Sequence, residues 1–132
     1  MLYVDTSALL KRYIYEHDSA VAAEHMASDR VLITCPLTEV EVRRNLTRLL
    51  DGEALLAARA AFAIDLDSFA LVLLDATVMS NATQIAESTL CRSLDAVHLA
   101  AARRAGANIT VLTFDARQAH TARQLGLTTI GA

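Results

Sequence analysis

Short apolar runs alternate along the chain with longer stretches in which apolar positions recur every three or four residues. The short runs read as β-strands over residues 2–4, 31–34, 71–74 and 109–113, with a weaker fifth over 127–130. The longer stretches carry helical spacing over residues 8–15, 19–27, 36–50, 54–68, 77–90, 94–105 and 116–125. Pro36 suits a first helical turn, where its missing N–H is not needed. Gly106 and Gly126 follow the last periodic residues of two helices and are expected to form left-handed caps. Strands that alternate with helices predict an α/β fold: a central, mostly parallel sheet of four to five strands in three α/β/α layers. In such a sheet, function gathers at the carboxyl ends of the strands.

The chain has 132 residues, 54% of them hydrophobic, which predicts one domain over residues 1–132. Disorder would need fewer apolar residues. The longest run free of Asp, Glu, Lys and Arg, residues 76–86, is too short to span a membrane, which takes about 20 residues. An acid at Asp5 stands where a signal peptide carries bases, so a cytoplasmic protein is expected. Cys35 and Cys91 lie far apart within apolar segments and read as two buried thiols in a reducing compartment. Net charge is −3. Nucleic-acid binders are usually basic, but setting aside four acids as a metal site would leave the bases in slight excess.

Acids stand at the strand ends. Asp5 ends the first strand and Asp115 follows the fourth. Asp95 opens a helix whose inward stripe continues through His98, Leu99 and Ala102. Glu41 lies early in the helix opened by Pro36, with Glu39 as the alternative. Asp5, Asp95 and Asp115 each also suit a helix N-cap. Four acids at one end of one sheet repel one another and call for a cation. With neither nearby Cys nor paired His, Mg²⁺ or Mn²⁺ is expected rather than Zn²⁺. Such an ion can activate water against a phosphodiester. Ser7 and Thr113 could orient these carboxylates from behind. His98 reads as a packing residue. Arg12, Arg43, Arg44 and Arg92 lie close to the acids in sequence and could form a rim for an RNA backbone. With aromatics at 5%, base-stacking platforms should be sparse.

Four segments occur in order: YVDTSALLKRY, CPLTEVEVRRNL, CRSLDAVHLAAARRAG and TFDARQAHTARQLGL. Together they resemble the PIN-domain family, and within it the VapC-type toxin ribonucleases of bacterial toxin–antitoxin pairs. The resemblance covers essentially the whole chain and departs from the family's usual residues at Cys35 and Pro36. It implies a PIN-like fold whose catalytic, metal-holding acids fall on Asp5, Glu41, Asp95 and Asp115. It also implies Mg²⁺- or Mn²⁺-dependent cleavage of RNA, homodimerisation and inhibition by a cognate antitoxin. The alanine- and leucine-rich segment 54–68 independently suggests a dimer. Competing readings are a non-catalytic interaction module of the same fold and a receiver-type phosphotransfer domain. The latter lacks a lysine near the last strand, since Lys11 is the only lysine.

Overall fold

The computed structural model describes residues 1–132. Five strands form one sheet: β1 (Leu2–Val4), β2 (Leu32–Thr34), β3 (Ala70–Leu71), β4 (Thr110–Thr113) and β5 (Thr128–Gly131). All pairings are parallel and the order is β3-β2-β1-β4-β5. Around the sheet lie α1 (Thr6–Leu9), α2 (Ser19–Ala27), α3 (Pro36–Leu49), α4 (Gly52–Asp67), α5 (Ala76–Thr89), α6 (Ser93–Ala105) and α7 (Ala116–Gln124).

Side chains alternate across the central strand, as the period of two requires. Leu2 and Val4 enter a core with Leu9, Met26, Val42, Leu46 and Phe62 from α1 to α4. Tyr3 enters the opposite core, with Ala101 and Ala102 of α6. A further cluster joins α5, α6 and α7. The sheet is thus covered on both faces, giving the expected three-layer α/β/α architecture.

β1 pairs with β2 on one side and β4 on the other, so the chain's winding reverses between β1 and β4. That switch point is where an open α/β sheet leaves a crevice, and Asp5 and Asp115 flank it. β5 closes tightly on the same place. Gly131, at φ 105°, lies so near the Thr113 carbonyl that an added Cβ would stand 2.3 Å from its oxygen. Glycine there keeps the end of β4 in place.

Several local expectations need correction. The first helix begins at Thr6 under the Asp5 cap, and after Leu9 it tightens into a 3₁₀ turn over Leu10–Arg12 rather than continuing to residue 15. β3 covers only Ala70–Leu71 at the sheet edge, where Leu73 is already exposed. Gly126 is left-handed as expected, whereas Gly106 takes φ 159°, ψ 160°. The remaining left-handed helix end falls on Leu90, a residue type that gives no such signal. Cys35 is buried, but Cys91 is only half-buried; both thiols are free.

Candidate active site

β1 delivers Asp5 to the sheet's carboxyl edge, where it is buried. Its extended backbone turns the carboxylate back onto α1, and Oδ1 accepts the Ala8 amide at 3.1 Å. The Ser7 hydroxyl donates to Oδ1 at 2.7 Å and the Thr113 hydroxyl to Oδ2 at 2.5 Å. Both hydroxyls are themselves fixed by backbone: Ser7 accepts the Phe114 amide and Thr113 the Asp115 amide. Burial pushes the Asp5 carboxyl above its ordinary range, and the hydrogen bonds from Thr113 and Ser7 hold it down only in part. Ser7 and Thr113 thus both donate to the Asp5 carboxylate, Thr113 across the sheet rather than to Asp115 two residues on.

Glu41 reaches the same cleft from α3, while Glu39 is exposed outside it. The Thr6 hydroxyl donates to Glu41 Oε1 at 2.7 Å, and His98 Nε2 donates to the same oxygen at 2.5 Å. His98 is 3% exposed, and its Nδ1 is hydrogen-bonded to the Tyr3 hydroxyl at 2.8 Å. Burial pushes this imidazole down, but Cys35 and Glu41 beside it reverse the effect and lift its pKa to about 10. Glu41 is the mirror case: burial raises it, and His98, Thr6 and Arg92 bring it below its ordinary range. His98 thus does more than fill space. It touches one of the acids.

Asp95 and Asp115 occupy the open side. Arg92 donates through Nε to Asp95 Oδ2 and through Nη2 to Asp115 Oδ2, each at 2.8 Å. Asp115 also caps α7, with Oδ1 accepting the Arg117 and Gln118 amides. Burial raises its carboxyl, but Arg92 and these amides outweigh it and hold the group low. Asp95 caps nothing. Arg92 is the N-cap residue of α6, and Asp95 stands inside the first turn. The cap reading therefore holds for Asp5 and Asp115 and fails for Asp95, the acid with the best packed stripe behind it.

All four acids line one open cleft of ≈ 350 Å³. Of the four arginines expected around it, only Arg92 is there. Arg12 lies 3.6 Å from Asp65, and Arg43 and Arg44 are exposed on α3 outside the cleft. Thr6, Tyr3 and Gln118 were not singled out by sequence reasoning. Gln118 lines the cleft at 1% exposure, and its Oε1 is buried without a hydrogen-bond partner. Thr6 follows Asp5 directly, and Gln118 stands at i+3 from Asp115, so spacing alone offered a weak signal for both.

The donor set is one of hard carboxylate oxygens, which fits Mg²⁺ or Mn²⁺. Four carboxylates face one guanidinium and one imidazole held protonated, leaving a surplus of negative charge for a cation to offset. As placed, no three His, Cys, Asp or Glu side chains stand close enough together to hold an ion. Arg92 spans the gap between Asp95 and Asp115, and a cation entering there would have to displace it. Asp5, Glu41, Asp95 and Asp115 are the residues that would hold the ion.

Comparison with known proteins agrees with this geometry. The PIN domain family matches residues 2–124. Ribonuclease VapC35 of Mycobacterium tuberculosis is 38% identical over 135 residues, covering 98% of this chain and 96% of that protein. Among solved structures, M. tuberculosis VapC20, described as a Sarcin-Ricin loop cleaving toxin, superposes with a TM-score of 0.77 at 20% identity, covering 100% of this chain and 98% of that one. A chain from a toxin–antitoxin complex of Klebsiella pneumoniae gives a TM-score of 0.72 at 14% identity, covering 90% of each. With the family matched along nearly its whole length, the chain belongs to the PIN-domain family and, within it, to the VapC-type toxin ribonucleases.

Proposed function

We propose that the chain is a Mg²⁺- or Mn²⁺-dependent endoribonuclease toxin, held inactive by a cognate antitoxin. One observation carries the reading: acids from β1, α3, α6 and the end of β4 meet in a single cleft at the sheet's switch point. A bound Mg²⁺ or Mn²⁺ supplies Lewis-acid stabilisation of a phosphodiester and a more acidic water. The chain's own residues prepare that chemistry. Ser7 and Thr113 hold the Asp5 carboxylate by both oxygens, so it need not reorient during reaction. Thr6 and His98 do the same for Glu41 through Oε1. Arg92, once released from Asp95 and Asp115, lies within reach of an incoming phosphate and can neutralise it.

The partners follow from the surface. On α4 only Ala58 and Phe62 are buried, and Leu56 and Ile64 are 64% and 73% exposed. That face supports a homodimer, checked by sedimentation at micromolar concentration. The antitoxin is read as a small protein that places a cationic side chain in the acid cleft. Relatives in toxin–antitoxin complexes support that partner. No helix is long and apolar enough to cross a membrane, and two free thiols suit a cytoplasmic location. The test is cleavage of RNA by the purified chain with Mg²⁺ or Mn²⁺, lost with EDTA. Cleavage that persists in EDTA overturns the metal reading; no cleavage by a metal-loaded, antitoxin-free chain overturns the enzyme.

A further inference from the structure

We propose that Tyr3 and His98 form a positioning column for Glu41, so that β1 and α6 set the orientation of an acid carried by α3. The proposal rests on the metal-dependent reading above. Tyr3 is fully buried in the central strand, two residues before Asp5. Its hydroxyl meets His98 Nδ1 at 2.8 Å, and Nε2 on the far side of the ring donates to Glu41 Oε1. Thr6, which follows Asp5 directly, donates to that same oxygen. A glutamate on a half-buried helix face otherwise samples many rotamers. Two donors converging on Oε1 remove that freedom and leave Oε2 as the oxygen for a cation. The column also joins the acids mechanically: one strand anchors Asp5 and braces the imidazole, while α6 carries both that imidazole and Asp95.

Packing alone gives no reason for these side chains. Burying an imidazole and a phenol has a desolvation cost that apolar residues of similar size would avoid. Ile33, Ala101 and Ala102, buried in the same core as Tyr3, carry no polar side-chain atoms, so this layer accepts plain apolar filling. Polar groups placed behind a metal-holding carboxylate fix its direction, and losing one typically lowers metal affinity by about 10–100-fold.

The experiment compares two substitutions that separate the two ring nitrogens. Asparagine puts its amide nitrogen near the former Nδ1, and glutamine puts its own near the former Nε2. His98→Gln therefore keeps a donor to Glu41 and loses Tyr3, while His98→Asn does the reverse. Mn²⁺ affinity, read by calorimetry on the full chain, should fall about tenfold or more in His98→Asn, which loses the donor to Glu41, and only about threefold in His98→Gln, which keeps that donor and loses the Tyr3 brace. In a Glu41→Gln background the two His98 variants should bind Mn²⁺ alike, because the positioned group is gone. Equal affinity of His98→Asn, His98→Gln and wild type, or full additivity with Glu41→Gln, overturns the column. A wild type that binds no Mn²⁺ removes the metal reading and the column together. Where a His98 variant does not fold, Tyr3→Phe serves: weakened Mn²⁺ binding without a change in melting temperature supports the column, and unchanged Mn²⁺ binding overturns it.

Discussion

The two sides of the cleft hold their acids by opposite means. On the buried side, Asp5 and Glu41 are gripped by neutral hydroxyls, a backbone amide and an imidazole, all within the fold. On the open side, Asp95 and Asp115 share one guanidinium that is itself 53% exposed. A carboxylate fixed by several donors is preorganised and costs little to use. A carboxylate balanced by an exposed arginine can exchange that partner for another cation or a phosphate. The cleft thus pairs a rigid floor with an exchangeable lid of charge.

The largest effects should come from deleting one charge on each side. Asp95→Asn and Asp5→Asn should each lower RNA cleavage at least about 100-fold, near 2.7 kcal/mol of transition-state stabilisation. The two should differ in stability. Asp95 makes no cap and loses only an ion pair to a largely exposed arginine, so its variant should melt within about 1 kcal/mol of wild type without metal. Asn at position 5 must present an amide to hydroxyls that now donate, so Asp5→Asn should unfold at lower denaturant. Mn²⁺ at about 100 times its Kd should stabilise wild type by about 2.7 kcal/mol and either variant far less. An Asp95→Asn chain with wild-type cleavage and wild-type Mn²⁺ stabilisation removes Asp95 from the site.

Next in size is the grip itself. Thr113→Val leaves Asp5 Oδ2 buried beside a methyl group, and the Asp115 amide loses its acceptor. Unfolding in urea should show a loss of about 1–3 kcal/mol, whereas the exposed Arg92 pairs have no comparable burial to lose. A neutral Thr113→Val would mean that the floor is not held by its hydroxyls.

What could be read from the sequence follows the same division. Asp5, Asp95 and Asp115 were visible because strand and helix ends are written in local patterns of hydrophobicity and capping. No local pattern separates Glu41 from Glu39, since which face of α3 meets α1 is a tertiary fact; only the family resemblance favoured Glu41. The hydrogen bonds linking Tyr3 to His98 and Thr113 to Asp5 span 95 and 108 residues, and no local pattern encodes such pairs. His98 was seen as inward-facing from its stripe, but its role depends on what stands across the sheet. The basic rim failed for a related reason. Nearness in sequence to an acid does not fix direction, and Arg12, Arg43 and Arg44 leave their elements away from the cleft. Leu90 shows the limit for backbone, since a left-handed helix end on leucine is set by the α5–α6 connection and not by the residue.

Gln118 gives a smaller effect with an informative sign. Its Oε1 is buried at the cleft without a donor, which disfavours the folded chain by itself. Gln118→Met is close in volume and removes the orphaned acceptor, so the metal-free protein should gain about 1 kcal/mol in urea unfolding. A loss of stability instead would show that the amide already has a partner within the floor.

The smallest stability change is expected at Arg92, and it bears most directly on how the two sides differ. Both of its carboxylate partners are reached from a largely exposed side chain, so Arg92→Ala should shift stability by less than about 1 kcal/mol. Its effect on ions should have the opposite sense. Removing the guanidinium leaves Asp95 and Asp115 without their resident cation, so Mn²⁺ should bind several-fold more tightly as competition ends. RNA cleavage separates the two roles of this residue. If Arg92 only blocks the open side, Arg92→Ala should cleave at wild-type rate or faster once metal is saturating. If the released guanidinium also meets the phosphate, KM should rise while Mn²⁺ affinity improves. Calorimetry with Mn²⁺ and a KM measurement on the same variant distinguish these outcomes. Weaker Mn²⁺ binding in Arg92→Ala would break the comparison, because the open side would then depend on its arginine for structure as the buried side depends on its hydroxyls.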